Sequence, residues 1–213
     1  MLALSLGLSA ASGLAYTQRL DNEAIREAIA IGHTAFDGDR RAFHQAYRIV
    51  VSRPPLDFVD VITPFRRVEL AAEERARQGD HRFGQRQALE LLSPSPTQVT
   101  LRIEFTFHPL NAYVLAPEYD AVLVAKGRPG IRPVSQDRIP RFGTRTDDVL
   151  PPSVQSGGIA PLSRGARQPP MLGATLMASF DGETIDPRGV YDLLVTERGK
   201  DLGRAVIDLG RLR

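Results

Sequence analysis

The pattern of apolar and polar positions changes its period near residue 95. Residues 16–95 carry apolar side chains at helical spacing, whereas residues 98–108 alternate between apolar and polar side chains. Alternation with a period of two is typical of a strand that has one buried and one solvated face. The sequence therefore predicts an α+β protein, with a helical region over 16–95 and an antiparallel β region over 96–213.

Local signals mark the helix boundaries in the first region. Asp21 is a good N-cap, and Thr63-Pro64 combines an N-cap with a proline at the first helical position. Gly38-Asp39 and Gly79-Asp80 each separate two helical segments, so we expect two helical hairpins. Residues 47–51 are rich in β-branched side chains, and a strand is the alternative for them.

Short strands and one long insertion are expected in the second region. Tyr113–Leu115, Ala121–Ala125 and Ala174–Phe180 have strand character. Residues 127–171 contain eight prolines and six glycines, a composition that disfavours helices and interior strands. We therefore predict a long insertion at 127–171, with Ile131, Val134, Ile139 and Phe142 packed on the domain and high mobility over 150–168.

The run Ile185-x-Pro187-x-Gly189-x-Tyr191 precedes a further alternating strand. It resembles the E–F corner of immunoglobulin-like and fibronectin type III-like sandwiches, in which a tyrosine hydroxyl closes the corner. The resemblance covers about residues 174–209. It implies structural roles for Tyr191, Pro187 and Gly189, and an immunoglobulin-like sandwich on which the helical half packs or to which it is linked. A true immunoglobulin domain is excluded, because cysteine and tryptophan are both absent.

Composition narrows the possible chemistry. The 213 residues suffice for a core without disulfides, and the lack of cysteine excludes thiolate catalysis and cysteine-based metal sites. Basic and acidic side chains balance over 16–92, and the excess of arginine falls in 127–171. Because a nucleic-acid interface needs a concentrated basic stripe on an ordered face, no nucleic-acid partner is predicted.

The first fifteen residues, Met1–Ala15, carry no charge and combine alternating leucines with a zone of small residues. This pattern is typical of the apolar region and cleavage zone of a secretory signal. The stretch is shorter than the ~20 residues of a transmembrane helix. We therefore expect a periplasmic or secreted protein with no transmembrane span in its mature form.

Candidate chemistry is sparse. No two histidines have the i,i+4 spacing of a helical zinc site, so neither a metal nor another cofactor is predicted, and no catalytic residue is assigned. Glu104 and His108 share the polar side of the 98–108 strand, where a carboxylate can orient a histidine as a general base. Asn111 and Tyr113 follow at the strand end. These four residues, Glu104, His108, Asn111 and Tyr113, are the candidate ligand-binding set.

These features favour a non-enzymatic binding or assembly module of a bacterial-type cell envelope, with a protein or an envelope component as partner. The alternative is an exported hydrolase whose site gathers Glu104 and His108 under the 127–171 loop. That alternative needs a concave pocket with His108 within hydrogen-bond reach of a carboxylate. A third hypothesis is the binding of an anionic polymer by the loop arginines, with an affinity that falls as salt is added.

Overall fold

The computed structural model of the protein describes residues 16–34, 37–143 and 169–213. The signal-like segment and the stretch predicted to be mobile, 150–168, lie outside the described residues. The helices and strands follow in this order: α1 (Asn22–Gly32), α2 (Asp37–Ala46), β1 (Arg48–Arg53), β2 (Leu56–Ile62), α3 (Pro64–Arg77), α4 (Gln85–Leu92), β3 (Val99–Thr106), β4 (Tyr119–Val124), β5 (Ser135–Phe142), β6 (Met171–Phe180), β7 (Val190–Glu197) and β8 (Lys200–Asp208).

The eight described strands form two antiparallel sheets. The larger sheet has the order β1-β2-β3-β6-β5, and the smaller one has the order β4-β7-β8. The α+β class predicted from the sequence is confirmed. Both halves of the chain contribute to the larger sheet, since β1 and β2 precede residue 95 and pair through β3 with the later strands.

The alternating side chains of β3 explain why the sheets pack together. Val99, Leu101, Ile103 and Phe105 are buried in one cluster with residues of the smaller sheet, such as Leu193. The ring of Phe105 stacks on that of Tyr119 in β4, with ring centroids 4.0 Å apart. Apolar side chains of the two sheets therefore build a shared core, and the other face of the larger sheet points away from it.

A second cluster holds the helices together. Ile25 and Ala28 of α1 pack against Val68 and Ala72 of α3. Gly32 permits this close approach, because a Cβ at that position would lie 2.5 Å from the backbone oxygen of Glu69. Across the residues that the structure describes, each helix falls short of the length and apolar character needed to span a bilayer.

The first region is less helical than predicted. Residues 48–62 form β1 and β2, in agreement with the strand alternative for 47–51. Gly38-Asp39 does not separate two helices, because both residues lie in the first turn of α2. The two hairpins predicted for 16–95 are therefore replaced by helices that flank a pair of strands. Pairing of β2 with the distant β3 outweighs the local pattern.

Two predictions for the β region need correction. Tyr113–Leu115 is an irregular connection between β3 and β4. Inside the predicted insertion, Ser135–Phe142 forms β5, the edge strand of the larger sheet, a position that tolerates Pro140. Ile139 and Phe142 are about half exposed and Val134 is exposed, so these three do not pack in the core, whereas Ile131 packs against it.

A hydrogen bond closes the chain bend before β7. The hydroxyl oxygen of Tyr191 accepts from the backbone N–H of Asp186 at 2.7 Å, and the side chain is buried. Gly189 lies against the ring of Tyr191, because a Cβ there would approach it to 2.5 Å. The amide of Gln18 donates to the carbonyls of Gly182 and Ile185 and ties the start of the described chain to the same bend.

Replacement of Tyr191 by phenylalanine tests this bend. The variant leaves the N–H of Asp186 without its acceptor, so we expect the free energy of unfolding to fall by about 1–3 kcal/mol. Equilibrium urea denaturation measures the loss, with Tyr113→Phe as the control because Tyr113 is exposed. Equal stabilities of Tyr191→Phe and the control would contradict the role of the hydroxyl.

Buried phenols predict a loss of stability in alkali. Burial raises the pKa of Tyr16 and of Tyr47 to about 12, against 10.0 for an exposed phenol, and it also raises the pKa of Tyr119. The unfolded chain therefore loses these protons first, and stability should fall as pH rises from about 10 to about 12, by on the order of 1–2 kcal/mol for each of Tyr16 and Tyr47.

Tyr16→Phe provides the test, because the hydroxyl of Tyr16 has no hydrogen-bond partner in the described part of the chain. We expect this variant to be at least as stable as the wild type in urea denaturation at about pH 9, and its advantage to grow by about pH 11.5. An identical loss of stability in both proteins would show that Tyr16 does not ionise on unfolding in this range.

Candidate functional site

A groove lies between helices α2 and α3 and the outer face of the larger sheet, at β1, β2 and β3. Its volume is about 840 Å³. We name it the arginine groove after five of its lining residues, Arg41, Arg48, Arg66, Arg77 and Arg102. Its other polar side chains are His44, Gln45, Asp60 and Glu73.

Helix α3 forms one wall because it begins directly after β2. The hydroxyl of Thr63 accepts from the backbone N–H of Arg66 at 3.3 Å, and Pro64 occupies the first helical turn. The guanidinium of Arg66 then turns back and donates to the carbonyl of Val61 at 3.0 Å. The N-cap therefore sets both the start of the helix and the position of a buried cation beside the sheet.

A buried carboxylate organises the floor of the groove. Asp60 on β2 is 2% exposed and faces Arg48, its register partner on β1. Arg48 donates from Nε and Nη2 to the two carboxylate oxygens, at 2.8 Å each, and this bond raises the pKa of its guanidinium. Arg66 lies 3.9 Å from the same carboxylate, and burial lowers its pKa.

The groove keeps donors for an incoming anion. A guanidinium has five N–H donors, and Arg48, Arg66, Arg77 and Arg102 each engage only one or two described groups. Nε of Arg66 is buried and has no hydrogen-bond partner among the described residues. Arg102 contacts Glu104 through Nε. Arg41 is exposed at the rim, and it forms no ion pair with any described side chain. Five guanidiniums against two carboxylates in the lining favour an anion.

Three metal-ligating side chains meet at the helical end of the groove. Nε2 of His44 on α2 lies 2.9 Å from Oε2 of Glu73 and 3.9 Å from Oε1 of Glu69, both on α3. All three ligand atoms lie within 4.8 Å of one another. Both carboxylate side chains are buried, and His44 is partly exposed. Spacings between histidines do not indicate this set, because His44 is its one histidine.

Glu104 has partners other than those the sequence suggested. It lies on the outer face of β3, where a solvated side chain is expected, yet it is buried. One carboxylate oxygen accepts from Nε of Arg102 at 2.7 Å, and the other accepts from the hydroxyl of Thr175 at 2.9 Å. Nε of Arg141 lies 3.4 Å away. Long arginine side chains from the same face therefore cover Glu104.

His108, Asn111 and Tyr113 lie together in the connection from β3 to β4, apart from Glu104. Nδ1 of the exposed His108 accepts from the backbone N–H of Leu110 at 3.1 Å. The amide of Asn111 donates to the carbonyls of His108 and Met171, and so anchors the connection to β6. The ring of Tyr113 packs on Phe107 with centroids 4.8 Å apart. None of the three lines the arginine groove.

A weak signal for the groove exists in the sequence. Asp60 interrupts an apolar run of β2, and Arg66 follows in the first turn of the next helix. Glu69 and Glu73 have i,i+4 spacing on an amphipathic helix whose apolar face is buried. A charged residue on a buried position indicates a partner nearby, although the pattern alone does not identify that partner.

Comparison of the chain with protein-family models, with curated proteins and with solved structures gives no match. Fold and site define an α+β protein whose arginine-lined groove lies between two helices and an antiparallel sheet. Function is therefore inferred below from the contacts of the chain's own residues.

Removal of the Asp60 carboxylate from the floor of the groove should destabilise the protein. Asp60→Ala leaves the buried guanidinium of Arg66 without its nearest described anion, so we expect a loss of about 3–5 kcal/mol in the free energy of unfolding. Adding Arg66→Met should recover much of this loss, because the uncompensated charge is then absent. Urea denaturation measures both variants, with the exposed Asp120→Ala as control. A loss no larger than that of the control would contradict the importance of the pair.

Proposed function

We propose that the protein is a non-enzymatic binding module and that the arginine groove holds an anionic group of its ligand. The observation that carries the proposal is the concave lining of five guanidiniums, one of them buried. Arginine binds carboxylate and phosphate groups through paired, charge-assisted hydrogen bonds. A ligand of either chemistry would fit the donors that the groove leaves available.

The hydrolase alternative has less support. It requires His108 within hydrogen-bond reach of a carboxylate, but the described contacts of Glu104 are with Arg102, Arg141 and Thr175. His108 is exposed and contacts the backbone of its own turn. A general base also needs a neighbouring nucleophile or bound water in a pocket, and His108 lines neither described groove.

We further propose that the ligand is an anionic component of a cell envelope. The support is the signal-like pattern of Met1–Ala15 together with the charge of the arginine groove. Likeness of residues 174–209 to immunoglobulin-like or fibronectin type III-like sandwiches is part of the same proposal. Antiparallel strands and the hydrogen bond between Tyr191 and Asp186 support it, and such folds commonly serve binding.

Titration with pyrophosphate at low ionic strength tests the anion site. We expect saturable binding by the wild type in isothermal titration calorimetry. Arg41→Gln and Arg102→Gln should each weaken it by about tenfold or more, since each removes charge-assisted hydrogen bonds. Arg41→Gln is the cleaner variant, because Arg41 has no described ion pair to lose. Added salt should weaken binding further by screening.

Arg128→Gln is the matched control, because Arg128 is exposed and lies outside the groove. It removes one positive charge from the chain and should leave the affinity within twofold of the wild type. That change corresponds to a binding free energy difference of ~0.4 kcal/mol or less. Equal weakening by all three variants would indicate attraction by net charge alone. That result, or no binding by the wild type, would refute the groove as the anion site.

A further inference from the structure

We propose that His44, Glu69 and Glu73 bind one divalent transition-metal ion. This goes beyond the anion-binding function, because it concerns a cation and a different set of side chains. The three residues come from two helices, and the sequence separates His44 from Glu73 by 29 positions. They meet at the end of the arginine groove, which His44 and Glu73 line.

The distances between ligand atoms suit a single ion. A first-row ion lies about 2.0–2.2 Å from nitrogen and oxygen ligands, which places neighbouring ligand atoms about 3–3.5 Å apart. Nε2 of His44 lies 2.9 Å from Glu73 and 3.9 Å from Glu69. All three ligand atoms lie within 4.8 Å of one another, so each would have to move by about 1 Å to surround one ion.

The backbone holds both carboxylates firmly. Glu69 and Glu73 are one helical turn apart, so they lie on the same face of α3. Their turn of α3 packs against α1 at Gly32. A Cβ at Gly32 would lie 2.5 Å from the backbone oxygen of Glu69 and 2.9 Å from the backbone nitrogen of Glu73. A site on packed helices keeps its ligands at defined positions, as metal coordination requires.

Neighbouring groups orient the ligands. Nη2 of Arg77 donates to Oε1 of Glu73 at 2.6 Å, while the other oxygen of that carboxylate faces His44. A hydrogen bond of this kind from outside the ligand set fixes which carboxylate oxygen is presented. Because His44 is partly exposed at the groove, an ion held by three protein atoms would keep a coordination position for water or a ligand.

The donor set indicates the class of metal. One imidazole nitrogen with two carboxylate oxygens suits Zn²⁺, Mn²⁺, Fe²⁺ or Co²⁺ better than Ca²⁺, which takes six to eight oxygen ligands. A hydrogen bond between His44 and Glu73 without any metal is the competing account of the same geometry. It predicts no stoichiometric uptake of metal, so metal titration separates the two.

Calorimetric titration of Zn²⁺ into the full chain, stripped of metal by a chelator, tests the site. We expect one equivalent to bind. His44→Gln and Glu69→Gln should each reduce the affinity by about 100-fold or more, since even residues outside the ligand set typically change it by 10–100-fold. His81→Gln and Glu74→Gln are the controls: each makes the same chemical change at an exposed position and should leave binding intact.

Two further measurements distinguish loss of metal binding from misfolding of a variant. Zn²⁺ should raise the melting temperature of the wild type and of both controls, and not that of His44→Gln or Glu69→Gln. Co²⁺ bound to the unmodified chain should give visible d–d absorption, and added Zn²⁺ should abolish it. This measurement uses the wild type alone, so it does not depend on the folding of any variant. Equal Zn²⁺ affinity in His44→Gln and the wild type, or no d–d bands, would overturn the proposal. Pyrophosphate binding by metal-free protein is measured separately, so failure of either site is recognised independently.

Discussion

The burial of ionised side chains where α3 crosses the larger sheet constrains everything around it. Asp60, Glu69, Glu73 and Arg66 are all nearly inaccessible to water. Charges removed from water are stable only when opposite charges and hydrogen bonds surround them at defined distances. The relative positions of β1, β2, α2 and α3 are therefore set by charge pairing as well as by apolar packing. The arginine groove and the set formed by His44, Glu69 and Glu73 both follow from this one constraint.

Local signals in the sequence predicted part of the fold. Asp21 and Thr63 are the N-caps of α1 and α3, as their side chains predict. Gly79 follows the end of α3 with a φ of 78°, a conformation that glycine favours. Alternation in β3 also gave the correct buried face. The strands at 48–62 were harder to predict, because β1 pairs with β2, and β2 pairs with β3, some forty residues later in the sequence. Strand β5 was missed because proline-rich composition hides an edge strand.

The candidate site was less predictable than the fold. The alternation of apolar and polar residues along a strand assigns each side chain to one face of the sheet. It does not say whether other side chains cover that face. Glu104 was expected in water and is buried because Arg102 and Arg141 reach over it. His44 was judged by its distance from other histidines, whereas its neighbours are carboxylates on another helix. Contacts between elements distant in the chain carry this information, and a single sequence does not contain it in readable form.

Strand β5 has a consequence for how these molecules meet one another. The outer margin of a sheet exposes unpaired amide and carbonyl groups, and a strand from a second molecule can attach there and start an ordered aggregate. Among the described strands β5 forms this margin, Pro140 supplies no amide hydrogen there, and the exposed side chains of Asp137 and Arg138 place charges along it. Attachment of a second chain would desolvate those charges without satisfying the full ladder. The same residues that obscure β5 in the sequence thus help to keep separate molecules from joining into fibrils.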